Sequence, residues 1–241
     1  MARGYVKFDT VKHLILDEAD RMLDIGFYDD IIKIIDALPA ERQSLMFSAT
    51  MASKIRKLAK EILSEPEEIS VAISKPADGV TQKVYLAHEE QKVALVRHIL
   101  GDKDDFQAII IFCSTKKKVE KLSRTLLQKG YACQGISSDY EQDAREEALR
   151  DFRSGKTRIM VATDVMSRGI DIKGIDLVIN YDVPGDAEDY VHRIGRTARA
   201  KTEGMAVTLV CADDRFKFSK IERLIDRELE KDQPPSELGE G

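Results

Sequence analysis

The sequence is poor in cysteine: Cys113, Cys133 and Cys211 are its only three, they lie far apart, and no Cys-x-x-Cys pair occurs. That spacing excludes a disulfide framework and argues against a zinc site, leaving reduced thiols as the expectation. Long apolar runs are missing too. The longest, Ala108 to Cys113, is far short of the ~20 residues of a membrane-spanning helix. The opening Met1-Ala2-Arg3-Gly4-Tyr5 has no apolar stretch of the signal-peptide kind, so a cytoplasmic, membrane-free protein is expected. Six prolines and fourteen glycines, against 43% hydrophobic and 34% charged residues, fit neither a disordered nor a collagenous chain.

A strong positive charge is also lacking. Lys and Arg number 38 against 43 Asp and Glu, a formal charge of −5. Residues 1–72 carry 10 basic and 13 acidic side chains, and residues 229–241 carry 1 and 4, so any polyanion must be met by a local cluster rather than a global field.

What the sequence does have is alternation. Short apolar runs end in turns and are followed by stretches with apolar residues three and four apart, the pattern of an α/β fold with a parallel sheet flanked by helices. With 241 residues, one to two domains are expected from a usual ~150 residues each. Strands are expected at 11–16, 44–47 and 69–73, with helices at 31–38 and 53–63. Ser74-Lys75-Pro76-Ala77-Asp78-Gly79 concentrates chain breakers and reads as an interdomain linker, 73–80. Beyond it the pattern predicts strands at 84–87, 108–113, 132–136, 159–162, 177–180 and 206–210. Helices are predicted at 92–100, 119–128, 142–152, 186–193 and 216–229. Residues 81–229 thus form a complete domain, 1–72 part of another, and 230–241 a disordered acidic tail.

Four clusters carry chemistry. Asp17-Glu18-Ala19-Asp20 closes the first strand, where open α/β sheets place ligands. Two adjacent carboxylates there suit a hydrated Mg²⁺ and a base for water, although an acidic helix start would look the same. Ser48-Ala49-Thr50 follows the second strand, where a hydroxyl also suits a helix cap. The run from His192 to Arg199 holds a histidine and three arginines among small residues; Arg196 and Arg199, three apart, would point the same way on a helical turn and suit a phosphoryl group. Val161-Ala162-Thr163-Asp164 ends a strand and leads into Ser167-Arg168-Gly169-Ile170-Asp171, a loop suited to ribose or phosphate. Gly155-Lys156-Thr157 imitates the end of a phosphate-binding loop, but Arg150 stands where that motif needs glycine, and a helix precedes rather than follows. A helix end and turn are expected there.

In this order, these motifs resemble those of the DEAD-box RNA helicases of superfamily 2, most closely bacterial members of the RhlE type. The match runs through LILDEADRMLDIGF (14–27), LMFSAT (45–50), IIIFCST (109–115), Gln142 with Arg145, VATDVMSRGID (161–171) and HRIGRTAR (192–199). The resemblance implies two RecA-like domains that clamp ATP and Mg²⁺ and bind RNA, with RNA-stimulated ATP hydrolysis coupled to local duplex unwinding. It implies that Asp17 and Glu18 serve Mg²⁺ and the attacking water. Asp20, Ser48, Thr50, His192 and Arg193 would couple the parts, Arg196 and Arg199 would serve the γ-phosphate, and Gly169 and Asp171 would meet the nucleotide. Thr115, Gln142, Arg145, Thr163 and Asp164 would line the RNA path. Ala198 replaces the usual glycine of the last motif, and Ser137-Ser138-Asp139 stands where many members have His-Gly-Asp. The family's phosphate loop and adenine-recognition glutamine have no counterpart in the 241 residues, so a truncated, monomeric chain that does not itself hydrolyse ATP is expected. Two other readings remain at this stage: a non-enzymatic RNA-binding or annealing module, and a superfamily 2 DNA helicase.

Overall fold

The computed structural model describes residues 7–48, 51, 53–70, 79–101, 106–137, 140–164, 174–197 and 204–238. The chain divides into two compact units, Met1–Ile73 and Ser74–Gly241.

In the first unit β1 (His13–Leu16) and β2 (Gln43–Met46) pair in parallel, Ile15 opposite Leu45. Alternation sends Leu14 and Leu16 to one face. There they meet Ile31 of α2 (Tyr28–Asp36) and Leu58 and Ile62 of α3 (Ser53–Ile62). On the opposite face Ile15 is 61% and Phe47 54% exposed, two large apolar side chains left in contact with water among the described residues. A helix that the spacing did not suggest, α1 (Ala19–Ile25), precedes α2. Gly26 ends it at φ +92°, a left-handed position that favours glycine, and its amide returns to the Leu23 carbonyl. α2 therefore starts three residues before the expected helix. The strand expected at 69–73 is absent from its described part, where Ile69 is 87% exposed; residues 71–73 lie outside the described set.

The second unit is a seven-stranded, wholly parallel sheet in the order β5-β6-β4-β7-β8-β3-β9. Its strands are β3 (Val80–Leu86), β4 (Ile109–Phe112), β5 (Cys133–Ile136), β6 (Ile159–Ala162), β7 (Leu177–Asn180), β8 (Gly204–Val210) and β9 (Lys231–Asp232). The central strands are apolar without interruption because both faces are covered. Ile109, Ile111 and Val161 pack under α4 (Lys92–Leu100) and α5 (Lys116–Gln128). On the other face Ile110, Phe112 and Met160 meet α6 (Gln142–Arg153). Val84 and Ala206 meet α7 (Ala187–Ile194) and α8 (Arg215–Leu224) on that face. β4 and β7 are neighbours, yet the helices that follow them, α5 and α7, lie on opposite faces. Between them is the topological switch point, whose carboxyl-end crevice is where such sheets hold ligands.

Three expectations need correction here. Val80, the end of the expected linker, already belongs to β3, paired with Gly204; residues 73–78 lie outside the described set. The last helix stops at Leu224 rather than 229, and Asp226 follows at φ +52°. The tail is ordered over its described part, 230–238: Lys231 and Asp232 pair with Val84 and Tyr85, Leu229 is buried and Leu238 packs on the larger core. Without β9, β3 would be an edge with unpaired backbone groups, so pairing plus two apolar anchors outweighs the charge of the segment. Gly155, at φ +76° after α6, forms the expected helix end, with Lys156 Nζ on Asp151 at 2.8 Å.

Candidate functional site

In the first unit the acidic tetrad sits at the end of β1. Asp17 and Glu18 are exposed, and Asp17 Oδ1 accepts the Glu18 N–H at 2.9 Å. Glu18 occupies the left-handed region, φ 50° and ψ 46°, at the start of α1. This is a strained setting for a side chain that carries a Cβ, of the kind found where a group is held for use. The ends of β1 and β2 are stitched together: Phe47 N–H donates to Leu16 O at 2.7 Å and Ala19 N–H to Phe47 O at 3.0 Å. The Asp20 N–H donates to Ser48 Oγ at 3.3 Å. Ser48, two residues past the end of β2, thus serves α1. Ser48→Ala is expected to cost about 1 kcal/mol and to speed hydrogen exchange of the Asp20 amide while α3 amides stay protected. Among the described residues no group of three or more His, Cys, Asp or Glu could cage a cation. Two exposed neighbouring carboxylates instead fit a Mg²⁺ that keeps most of its waters. Ala49 and Thr50 lie outside the described residues.

In the second unit the switch point is filled by Arg193, 3% exposed. Its Nε and Nη2 clasp Asp164 Oδ1 and Oδ2 at 2.6 and 2.7 Å, and its Nη1 donates to Asn180 Oδ1 at 3.0 Å and to the Asp182 carbonyl at 2.9 Å. The guanidinium also lies 4.9 Å from the Phe112 ring centroid. Asn180 in turn donates to Thr208 Oγ1 at 3.1 Å. One buried cation therefore ties the segment after β6 to the end of β7. Asp164, expected on an RNA path, has both carboxylate oxygens engaged by Arg193.

Asp182 is the second centre, and the motif reading missed it. Its Oδ2 accepts the Ser114 N–H and Oγ–H, each at 2.8 Å. Its Oδ1 takes Lys92 Nζ at 3.0 Å and Lys118 Nζ at 2.7 Å. Glu89 closes the ring, 3.0 Å from Lys92 and 2.6 Å from Lys118. Burial alone would raise the Asp182 carboxyl, but the hydrogen bond of Lys118, the charge of Lys92 and the Ser114 amide outweigh it and hold the group at about 2. Burial likewise opposes the charge on Lys92, and Asp182 overrides it, raising the lysine above its usual range. The available sequence signal was Asp182 at the carboxyl end of an apolar strand, where no known pattern called attention to it.

The remaining candidates follow strands and helices of the same unit. Thr115, after β4, caps α5 by accepting the Lys118 N–H at 3.3 Å. Thr163 follows β6 and is half-buried. Gln142 opens α6, its Nε2 on Glu146 at 2.9 Å, and Arg145 lies three residues on. His192 is exposed in the last turn of α7. Arg196 departs from expectation: the helix ends at Ile194 and Thr197 bridges to Ile175, so Arg196 sits in a turn, not on a helical repeat. A Cβ on Gly195 would lie 3.0 Å from the Val191 carbonyl, which explains a glycine in that close turn. Gly169, Asp171, Ala198, Arg199, Ser138 and Asp139 lie outside the described residues. No helix among the described residues is long and apolar enough to cross a membrane.

A parallel sheet covered on both faces, with polar side chains at its carboxyl edge, is a doubly wound α/β fold, here of the RecA-like class. The sequence comparisons narrow this. Residues 1–58 match the DEAD/DEAH box helicase family and residues 91–201 the helicase conserved C-terminal domain. The chain is 42% identical over 238 residues to the DEAD-box ATP-dependent RNA helicase CshA of Geobacillus kaustophilus, covering 97% of this chain and 50% of that protein. It is 42% identical to the ATP-dependent RNA helicase DBP2 of Candida glabrata, covering 88% and 40%. Among solved structures it superposes on S. cerevisiae Dbp5 bound to RNA and ADP BeF3 with a TM-score of 0.87 at 30% identity, covering 98% of this chain and 63% of that one. It also matches the E. coli DEAD-box protein SrmB bound to the regulator of ribonuclease activity A, with a TM-score of 0.60 at 33% identity, covering 65% and 91%. The chain belongs to the DEAD-box helicase family. It spans about half the length of the curated relatives it matches.

Proposed function

We propose that this chain is part of an ATP-dependent RNA helicase that couples RNA-stimulated ATP hydrolysis to local unwinding of RNA duplexes. The observation that carries the reading is that in each unit motif residues stand just past the carboxyl ends of strands, after β1 and β2 in the first and after β4 and β6 in the second, where parallel sheets present ligands. Asp17 holds a hydrated Mg²⁺, which when bound neutralises phosphate charge, and Glu18 orients and deprotonates the attacking water. Asp20 and Ser48, already joined through an amide, and Thr50 transmit the state of that site. Arg196 and Arg199 supply positive charge to the γ-phosphate, and Gly169 and Asp171 meet the nucleotide. His192 precedes Arg193, which keeps Asp164, Asn180 and the Asp182 carbonyl in register. Thr115, Gln142, Arg145 and Thr163 contact the RNA backbone and 2′-hydroxyls, with Asp164 acting through Arg193. Three free thiols support a reducing, cytoplasmic setting, and the chain acts as a monomer.

Fluorescence anisotropy with a labelled single-stranded RNA and a DNA of the same sequence tests this. Binding that weakens steeply with salt and favours RNA is expected. No binding to RNA at low salt, or a preference for DNA, overturns the reading. The 241 residues contain no glycine-rich Gly-Lys-Ser/Thr phosphate loop, so their own RNA-stimulated ATPase is expected at background. Turnover abolished by Glu18→Gln would contradict that.

A further inference from the structure

The ring formed by Lys92, Lys118, Glu89 and Asp182 contains one member that can leave. Asp182 keeps three donors without Lys118: Lys92 Nζ and the Ser114 N–H and Oγ–H. Lys92 is fully buried and bound by both carboxylates at 3.0 Å, so it is fixed. Lys118 differs on both counts: its side chain is 33% exposed, and the ring remains satisfied without it. Glu89 on the turn before α4, itself 48% exposed, holds the Lys118 ammonium at 2.6 Å and Asp182 holds it at 2.7 Å. The backbone amide of Lys118 is tied to the hydroxyl of Thr115, one of the residues placed on the RNA backbone. Lys118 therefore starts one helical turn from a proposed phosphate contact, while Glu89 and Asp182 retain its ammonium in the free chain.

We propose that Lys118 is a further RNA-phosphate contact, and that Glu89 competes with the RNA for it. The inference rests on the RNA-binding reading given above. A phosphate oxygen replaces the Glu89 and Asp182 carboxylates as the partner of the Lys118 ammonium, no proton moves, the released Glu89 keeps Lys92, and Asp182 keeps Lys92 and Ser114. Binding is thereby weaker than the full set of contacts would allow, and an acidic side chain with no place on the RNA sets part of the affinity.

The two charges then have opposite effects. With the full 241-residue chain and a labelled twelve-nucleotide oligouridylate, Lys118→Gln is expected to weaken binding roughly three- to fivefold, the scale of one exposed charge pair. It also lowers the magnitude of the slope of log affinity against log salt by about 0.7, one phosphate contact on a single strand. Glu89→Gln is expected to tighten binding by a similar factor. Glu90→Gln, the neighbouring exposed acid, reports the effect of removing a negative charge alone and shifts affinity by much less. Combining Lys118→Gln with Glu89→Gln abolishes the gain. Each variant is checked by circular dichroism, and Lys118→Arg, which keeps the charge, restores the slope. If wild type binds but Lys118→Gln leaves the slope unchanged, or Glu89→Gln does no more than Glu90→Gln, the proposal is overturned and the RNA reading stands. If wild type binds no RNA at low salt, both are overturned.

Discussion

Replacing Arg193 by alanine is expected to lower the unfolding free energy of the second unit by about 3–5 kcal/mol, the cost of removing one partner of a buried ion pair. The loss is large because the guanidinium uses three nitrogens on four acceptors. Without it, Asn180 Oδ1 and the Asp182 carbonyl lose a donor inside the fold and Asp164 loses its two-pronged clasp. Phe112 also loses the cation over its ring. Arg193→Lys recovers only part of this, since an ammonium cannot clasp both oxygens of Asp164 while reaching Asn180. Guanidinium unfolding followed by circular dichroism measures both. A change below about 1 kcal/mol for Arg193→Ala would mean that the cluster is not the structural centre its burial implies.

Asp182→Asn is expected to have the next largest effect, and a pH dependence with a definite sign. The folded carboxyl is held at about 2, below the ~3.9 of an unfolded aspartate. A group with a depressed folded pKa stabilises the fold above its unfolded pKa, and that contribution is lost as pH falls through the folded value. Near neutral pH the contribution is about 2–3 kcal/mol, from roughly two pKa steps at ~1.4 kcal/mol each. The gap between wild type and Asp182→Asn should therefore be full above about pH 4 and shrink toward pH 2. Urea titrations at several pH values test this; a gap independent of pH would remove Asp182 from the acid response.

How far the sequence could be read depended on the kind of signal. Ile159–Ala162 and Leu177–Asn180 were legible to the residue because a doubly covered strand is an unbroken apolar run bounded by turns. α1 was hidden, since its seven residues are too few to show a helical period and its acidic start already had a motif reading. The tail misled for a related reason: its Pro234-Pro235 and acidic residues describe its composition, while its order comes from pairing with a strand 147 residues earlier, Lys231 with Val84. At the site, motifs pointed to Asp17, Ser48 and Arg193 by spelling. They gave no sign that Ser48 meets the Asp20 amide or that Arg193 spends its donors on Asp164, because those contacts join segments distant in sequence. Lys92 and Asp182 were invisible, each being an isolated charge whose meaning lies only in the other.

The register of β3 has a consequence for how the protein is made. β3 is the second unit's first strand, yet its two neighbours are β8 and β9, the last two. During synthesis Val80–Leu86 therefore emerges with no strand to pair with and waits until residues 204–210 and then 231–232 follow. Its backbone donors and acceptors stay open through nearly the whole translation of the unit, so folding is dominated by contacts of long sequence separation and is slow. That interval, rather than the finished fold, is when unpaired strand edges leave this chain most exposed to aggregation.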